Sequence, residues 1–378
     1  MSISTRRLFV ALTLLLGSAI AIPARADLVL AHVAPLTGPV AIEAKEYNLG
    51  IRLAIAATNA AGGINGHKLS LRTEDDEYTP DKTIAILNKL GGSDTLATLL
   101  AIGSPSMTKV LQEKALERNK LPMVGVIPGA EPLRTPGSPY LFHVRAGDHD
   151  QYRKLVEHAL TIGLQRIAVA YADIPFGKAG LSAIEGILKE KSKSLVGQFA
   201  FPVGGGDFGE VMNGLAKATP DIVIVITPAK RAGEFVQAYR AKGLPGIVAM
   251  PSYGNASTLC QIAGEDKARG VFMAQIVPNI RNTSIPIVRQ YQDDLRNHGE
   301  KEQKASLFQF EAYVTTKVLI EGLKRAGKDV SREKLVAALD SMARLDLGGF
   351  NVSFANGKHN GSSFVDISII GRECQLMY

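Results

Sequence analysis

Apolar residues along the chain fall into short unbroken runs, separated by longer stretches with helical spacing. Residues 28–34, 68–72, 96–102 and 123–127 make a first group of runs. Residues 166–172, 195–201, 221–227, 247–250 and 271–275 make a second. Runs that are apolar at nearly every position suit strands covered on both faces, as in a parallel sheet. Between them, residues 43–61 carry Tyr47, Ile51, Ala54, Ile55 and Thr58 at helical spacing, and 81–90, 151–162, 177–189, 208–216 and 231–242 follow the same pattern. Gly-rich Ala61-Gly62-Gly63-Ile64-Asn65-Gly66 breaks one helix from the next strand, and Gly243 ends another before Leu244-Pro245. Alternating strand and helix predicts parallel sheets with right-handed crossovers. The alternation stops after Gln275. Helical patterns follow at 285–298, 306–326 and 332–341, then strands at 350–354 and 364–370. The expected class is α/β, with two lobes followed by elements added to both.

The first 26 residues stand apart. Arg6 and Arg7 precede an apolar run over 8–22, which is shorter than the roughly 20 residues a bilayer span needs. Ala24-Arg25-Ala26 is a small-x-small site, so a secretory signal peptide cut after Ala26 is expected, leaving 352 of 378 residues. The residue after the cut is Asp27, not a Cys that would carry a lipid. The formal charge of +7 loses Arg6, Arg7 and Arg25, leaving 40 basic against 36 acidic side chains, about +4. No basic stripe interleaved with aromatics is present, which argues against a nucleic-acid partner. An exported compartment permits a disulfide between Cys260 and Cys374, but their separation leaves the Cα distance open. Two separate buried thiols are the favoured outcome.

Parallel sheets place ligands beyond the carboxyl ends of their strands, so those loops hold the candidates. After the run ending at Ile102, Gly103-Ser104-Pro105 reads as a helix start with Ser104 as N-cap. It is either an ordinary cap or a carboxylate site made of free N–H groups and a hydroxyl. Pro128-Gly129 is a second such turn. Phe176 fits a core as readily as a site. Pro228 and the loop Pro251-Ser252-Tyr253-Gly254 also follow strands, and Tyr253 is the more interesting aromatic. Gly204–Gly209 matches G-x-G-x-x-G, but the acid that should end the next strand is missing, since Asp221 begins it. A loop with Asp207 as N-cap is expected instead, with no cofactor. The seven His show no metal-ligand spacing, and G-x-S-x-G and H-E-x-x-H do not occur, so neither a metal nor an enzyme is indicated. Asp75-Asp76 ends a strand, and Asp293-Asp294 should lie on a solvated helix face.

Several stretches, taken in order, carry a resemblance. They are Pro35-Leu36-Thr37-Gly38-Pro39, Asn59 to Gly66, Asp75-Asp76-Glu77-Tyr78-Thr79-Pro80, Phe176-Gly177, Tyr239 to Leu244, and Ala312-Tyr313 to Gly322-Leu323. With them the chain resembles the periplasmic solute-binding proteins of ABC importers, in the leucine/isoleucine/valine-binding family. The resemblance implies the type I periplasmic binding fold: two doubly wound parallel-sheet lobes joined by a three-crossing hinge. The crossings would fall near Gly147, Gln275 and Asn360, giving lobe 1 as 27–147 plus 276–360 and lobe 2 as 148–275 plus 361–378. It implies a monomer in the periplasm that closes over a small carboxylate ligand and delivers it to an inner-membrane ABC permease with its ATPase. A sensory module docking on a receptor would share this fold and pocket.

The resemblance also implies site residues. The ligand carboxylate would meet Ile102, Gly103 and Ser104, and the turn Ile127, Pro128 and Gly129. Lobe 2 would supply Phe176, Pro228, Ser252 and Tyr253, and Phe308 would come from a late lobe-1 helix. Three positions depart from the family's amino-acid binders, which carry a hydroxyl at Gly129, a tyrosine at Pro228 and a carboxylate at Ser252. Burying an ammonium without a counter-charge costs several kcal/mol. Unless Glu43, Asp173 or another acid reaches it, the departures imply a carboxylate without an α-ammonium, an aromatic or branched aliphatic acid.

Overall fold

A computed structural model describes residues 26–378 except Pro39, Pro136, Ala355 and Asn356. The expected signal peptide thus lies, but for Ala26, outside the described residues. Strands β1 (Leu28–Ala34), β2 (Leu69–Asp75), β3 (Thr95–Ala101), β4 (Met123–Val126) and β5 (Leu141–Phe142) form a parallel sheet in the order β2-β1-β3-β4-β5. Helices α1 (Ala41–Ala60), α2 (Pro80–Gly91), α3 (Ser104–Gln112) and α4 (Ala115–Asn119) connect these strands. Leu30, Ala31, Val33 and Ala34 of β1 are all essentially unexposed. Successive side chains point to opposite faces, so Leu30 and Ala34 join one core cluster and Ala31 and Val33 another.

A second sheet begins after α5 (Asp148–Thr161). It contains β6 (Ile167–Ala172), β7 (Gly197–Phe201), β8 (Ile222–Ile226), β9 (Ile247–Met250) and β10 (Phe272–Gln275). Its helices are α6 (Pro175–Glu190), α7 (Gly209–Ala218), α8 (Ala229–Ala241), α9 (Ala256–Ala263) and α10 (Glu265–Ala268). The chain then returns to the first sheet through α11 (Pro286–His298), α12 (Leu307–Arg325) and α13 (Arg332–Asp340), whose Ile287, Tyr291, Phe310, Leu319 and Leu335 complete its core. A small hairpin, β11 (Leu345–Asp346) with β12 (Asn351–Val352), follows. Finally β13 (Asp366–Ile370) and β14 (Leu376–Met377) extend the second sheet antiparallel, giving β14-β13-β10-β9-β8-β6-β7. Below, lobe 1 and lobe 2 denote the bodies around the first and second sheets.

Helices α1 and α12 cross at Gly50, where a Cβ would meet the Gln309 carbonyl oxygen at 2.1 Å. Only a glycine permits that approach. It brings Tyr47 on α1 up to α12, with consequences for the site.

The nine principal strands stand where the apolar runs place them. Several details differ. Strand β2 continues to Asp75 because it pairs with β1 along its whole length as an edge strand, where Thr73 and Glu74 tolerate partial exposure. The strand expected over 350–354 shortens to β12. Strands β5, β11 and β14 were not foreseen. Cys260 and Cys374 form a disulfide, with Cα atoms 6.2 Å apart, rather than two separate thiols. The antiparallel return of β13 carries the turn Arg372–Cys374 against α9 and α10, which no spacing rule reveals. Among the described residues, no helix is long and apolar enough to cross a membrane.

Candidate functional site

The carboxyl ends of β3 and β4 lie side by side, with Ala101 opposite Val126 and the Ile127 N–H donating to the Ala101 carbonyl at 3.0 Å. Ile102-Gly103-Ser104 and Ile127-Pro128-Gly129 therefore leave the sheet together. Gly103, at φ +105°, is the N-cap of α3, and a Cβ there would press on the Tyr78 ring at 3.1 Å. Ser104 is the first helical residue rather than the expected cap. Its half-buried hydroxyl has no hydrogen-bond partner among the described residues. A helix start without a side-chain cap leaves backbone N–H groups for an anion.

Lobe 2 faces this edge with the ends of β6, β8 and β9. Phe176 sits in the first turn of α6, Pro228 caps α8, and Ser252 and Tyr253 follow β9. The Phe176 and Tyr253 rings meet edge to face, with centroids 5.0 Å apart. Tyr253 crosses to lobe 1. Its oxygen accepts from the Gly129 N–H at 2.9 Å and lies 2.5 Å from Asp148 Oδ1 and 3.2 Å from the Ile127 carbonyl. One hydroxyl proton cannot serve two acceptors, and the shorter, charge-assisted bond to the carboxylate takes it. Part of the ring stays exposed, but the hydroxyl is enclosed. Burial and the neighbouring Asp148 carboxylate both push the phenol's pKa up. Burial likewise raises Asp148, against the bond from Tyr253 and the charges of Arg145 and Arg134.

Arg145 lies beneath this contact, only 3% exposed. Its guanidinium donates from Nη2 to Ser252 Oγ, stands 4.8 Å from the Tyr253 ring centre, and holds Nη1 3.3 Å from Glu311 Oε1. Burial alone would lower the Arg145 pKa, but Glu311 and its other neighbours hold it raised. Glu311, on α12, also accepts from the Tyr47 hydroxyl at 3.1 Å. Phe308 packs on Tyr47 at 5.2 Å and so stands behind this ion pair. Arg134 donates to the carbonyls of Gly129 and Arg145 and to Asn360 Oδ1, tying the Gly129 turn to two separate stretches of chain.

The structure therefore gathers Ile127, Gly129, Phe176, Ser252 and Tyr253 in direct contact or through Arg145. Ile102, Gly103, Ser104 and Pro128 share the edge of sheet one, and Pro228 that of sheet two. A profile of the periplasmic binding protein family matches residues 28–365. The chain belongs to that family. The Leu/Ile/Val-binding protein of Escherichia coli (strain K12) is 24% identical over 89% of this binding protein and 92% of its own length. The Leu/Ile/Val-binding protein homolog 3 of Brucella melitensis is 23% identical over 84% of each chain. An extracellular ligand-binding receptor from Verminephrobacter eiseniae, known from a crystal structure, is 31% identical with a TM-score of 0.84, covering 93% of this chain and all of that one. The fold of two parallel-sheet lobes and the resemblance drawn from sequence are thus borne out, and the family is one of binding proteins rather than enzymes.

Arg145, Asp148, Glu311 and Arg134 were not expected at the site, and Tyr47 was expected only as a core position of its helix. A signal existed for two of them. Arg145 is a charge within the apolar stretch 141–146, and Glu311 is one among Phe308, Phe310, Ala312 and Val314. Charges in such settings are buried and paired. Of the acids considered for an ammonium, Asp173 turns outward to Lys178 at 2.8 Å. Glu43 stays half-buried on α1, its carboxyl raised by burial. Asp207 is not an N-cap: its side chain accepts from the Gly209 N–H, and Phe208 precedes α7. Nor is the second acidic pair wholly solvated, because Asp294 accepts from the Tyr313 hydroxyl at 2.6 Å. The first pair is structural, with Asp75 accepting from Leu36, Thr37 and Glu77 and Asp76 from Tyr78 and Thr83.

Proposed function

We propose that this binding protein captures a small carboxylate between its lobes in the periplasm and delivers it to an inner-membrane ABC permease and its ATPase. The single observation that carries the proposal is the bond from the Gly129 N–H of lobe 1 to the Tyr253 hydroxyl of lobe 2. It places the two strand-end edges against each other, as closure over a ligand requires. Ser104 and the start of α3 suit the ligand carboxylate, and Phe176 with Tyr253 suit an apolar body. The hinge would consist of the crossings near Gly147, Gln275 and Asn360, with lobe 1 as 27–147 plus 276–360 and lobe 2 as 148–275 plus 361–378. A monomer secreted by cleavage after Ala26 fits this role. The names of the Leu/Ile/Val-binding relatives support a ligand of that size.

Native mass spectrometry of the purified protein, followed by a thermal-shift screen of aliphatic and aromatic acids, tests the proposal. Ligand at about 100 times its Kd adds about 2.7 kcal/mol of stability, which such a screen detects. Stabilisation by neutral sugars or cations, with none by any carboxylate, would refute it.

A further inference from the structure

Around Ser252 lie buried donor groups that lack an acceptor among the described residues. At the Gly129 turn, Asp148 Oδ1 and the Gly129 carbonyl already have donors. The Tyr253 hydroxyl fills the space before Asp148 Oδ1 and the Ile127 carbonyl, and the Arg134 guanidinium serves the Gly129 carbonyl. Among the described residues, the unsatisfied buried groups nearby are pure donors on Gln151 and Arg145 and two hydroxyls able to donate, those of Thr227 and Tyr152. Gln151 is fully buried; its Oε1 accepts from the Ser252 N–H at 2.9 Å, while its Nε2 has no partner among the described residues. Thr227, 3% exposed, has an Oγ1 without a partner among the described residues. Beyond the pair Ile224–Ala249, β8 and β9 run out so that Thr227 and Ser252 leave the sheet at the same level. Arg145, bonded to Ser252 Oγ, adds a positive charge and an Nε without an acceptor. An unmade hydrogen bond at a buried donor is costly, so this wall favours an acceptor.

We infer that the ligand is a carboxylic acid bearing an oxygen acceptor, as in a 2-oxo acid, at the position where an amino acid bears its ammonium. Gln151 Nε2 and Thr227 Oγ1 donate to that oxygen, and Arg145 supplies the favourable potential. The inference rests on the carboxylate-capture reading above and narrows it to one ligand class.

Two matched triads test it by calorimetry on the full mature chain. One is 4-methyl-2-oxopentanoate, leucine and 4-methylpentanoate; the other is phenylpyruvate, phenylalanine and 3-phenylpropanoate. Within a triad only the substituent beside the carboxylate changes. The expected result is at least tenfold tighter binding of the 2-oxo acid than of either companion in one triad. Thr227→Val, which keeps the shape, and Gln151→Leu should each reduce that preference at least fivefold, with folding checked by ligand-free melting. If an amino acid binds as tightly as its 2-oxo analogue, the inference is overturned and carboxylate capture stands. Equal binding of the oxo and unsubstituted acids overturns it too. A preference unchanged in both variants overturns the assignment to Thr227 and Gln151. If no member of either triad binds, the inference is overturned, and the carboxylate reading is decided separately by the wider thermal-shift screen.

Discussion

A Cβ built on Gly129 would lie 2.3 Å from Asp148 Oδ1 and 3.0 Å from the Tyr253 hydroxyl. The absent side chain at 129 and the buried acid at 148 are therefore one arrangement: the space a hydroxyl side chain would take is filled by the Asp148–Tyr253 pair. Gly129→Ser should expel either the carboxylate or the phenol. Leaving a buried polar group unpaired costs about 1–3 kcal/mol, which corresponds to a Kd increase of roughly 5- to 150-fold for a ligand that needs the closed form. Calorimetry with the best acid from the screen measures it. An unchanged Kd would show that the Tyr253 contact takes no part in closure.

The ion pair of Arg145 with Glu311 is almost wholly buried, at 3% and 7% side-chain exposure. Removing one partner of such a pair strands a charge and typically costs about 3–5 kcal/mol. Glu311→Gln should fall at the lower end of that range, because the amide still receives the Tyr47 hydroxyl. Arg145→Met should fall at the upper end. The double variant Arg145→Met/Glu311→Leu should recover much of the loss, since paired removal leaves no unpaired charge. Urea unfolding decides it; additive single losses in the double variant would mean that the two charges do not act as a pair.

These examples also explain what was readable beforehand. Strands such as β1 and β8 were legible because burial on both faces makes nearly every position apolar. Tyr253 and Ser252 were legible because strand ends of parallel sheets are where sites form. Arg145 was not, because its meaning depends on Glu311, far along the chain on a helix that returns to the first sheet. Asp148 likewise resembles an ordinary acid in the first turn of a helix until Gly129 is set beside it. The turn that brings Cys374 to Cys260 depends on the antiparallel return of β13, and local pattern carries no trace of that pairing.

Two buried histidines of lobe 1, His32 on β1 and His143 just after β5, contribute to the response to acid. Burial lowers His32 to about 4 and His143 to about 3, the latter helped by the Arg134 charge. The unfolded state takes up protons near 6.5, where these folded side chains stay neutral. Their contribution to stability is therefore complete above pH 6.5 and is lost as pH falls toward 4, at roughly 1.4 kcal/mol per pH unit for each histidine. Raised carboxyls such as Asp148 and Glu311 act in the opposite sense. The histidine part is therefore read as the difference between the wild-type protein and His143→Gln. Unfolding free energies at pH 7, 6 and 5 should fall less steeply in the variant; parallel slopes would rule out a neutral buried His143.

The disulfide spans 114 residues of sequence and fastens α9 to the turn before β14. Closing a loop of about that length removes unfolded-chain entropy, and bridges of this kind commonly contribute about 2–4 kcal/mol. Leu376 packs on the core around β9 and β10, so a freed C-terminus would also loosen that side of lobe 2. Replacing both cysteines with serine should therefore lower the unfolding free energy by that amount. Ligand affinity should change less than threefold, because Cys260 lies past the first turn of α9 and packs on the lobe-2 core, whereas Tyr253 is held by Gly129, Ile127 and Asp148. Denaturant unfolding and calorimetry on the same preparations separate the two effects. A loss of affinity without a loss of stability would mean that the bridge governs the position of the Ser252–Tyr253 loop instead of anchoring the C-terminus.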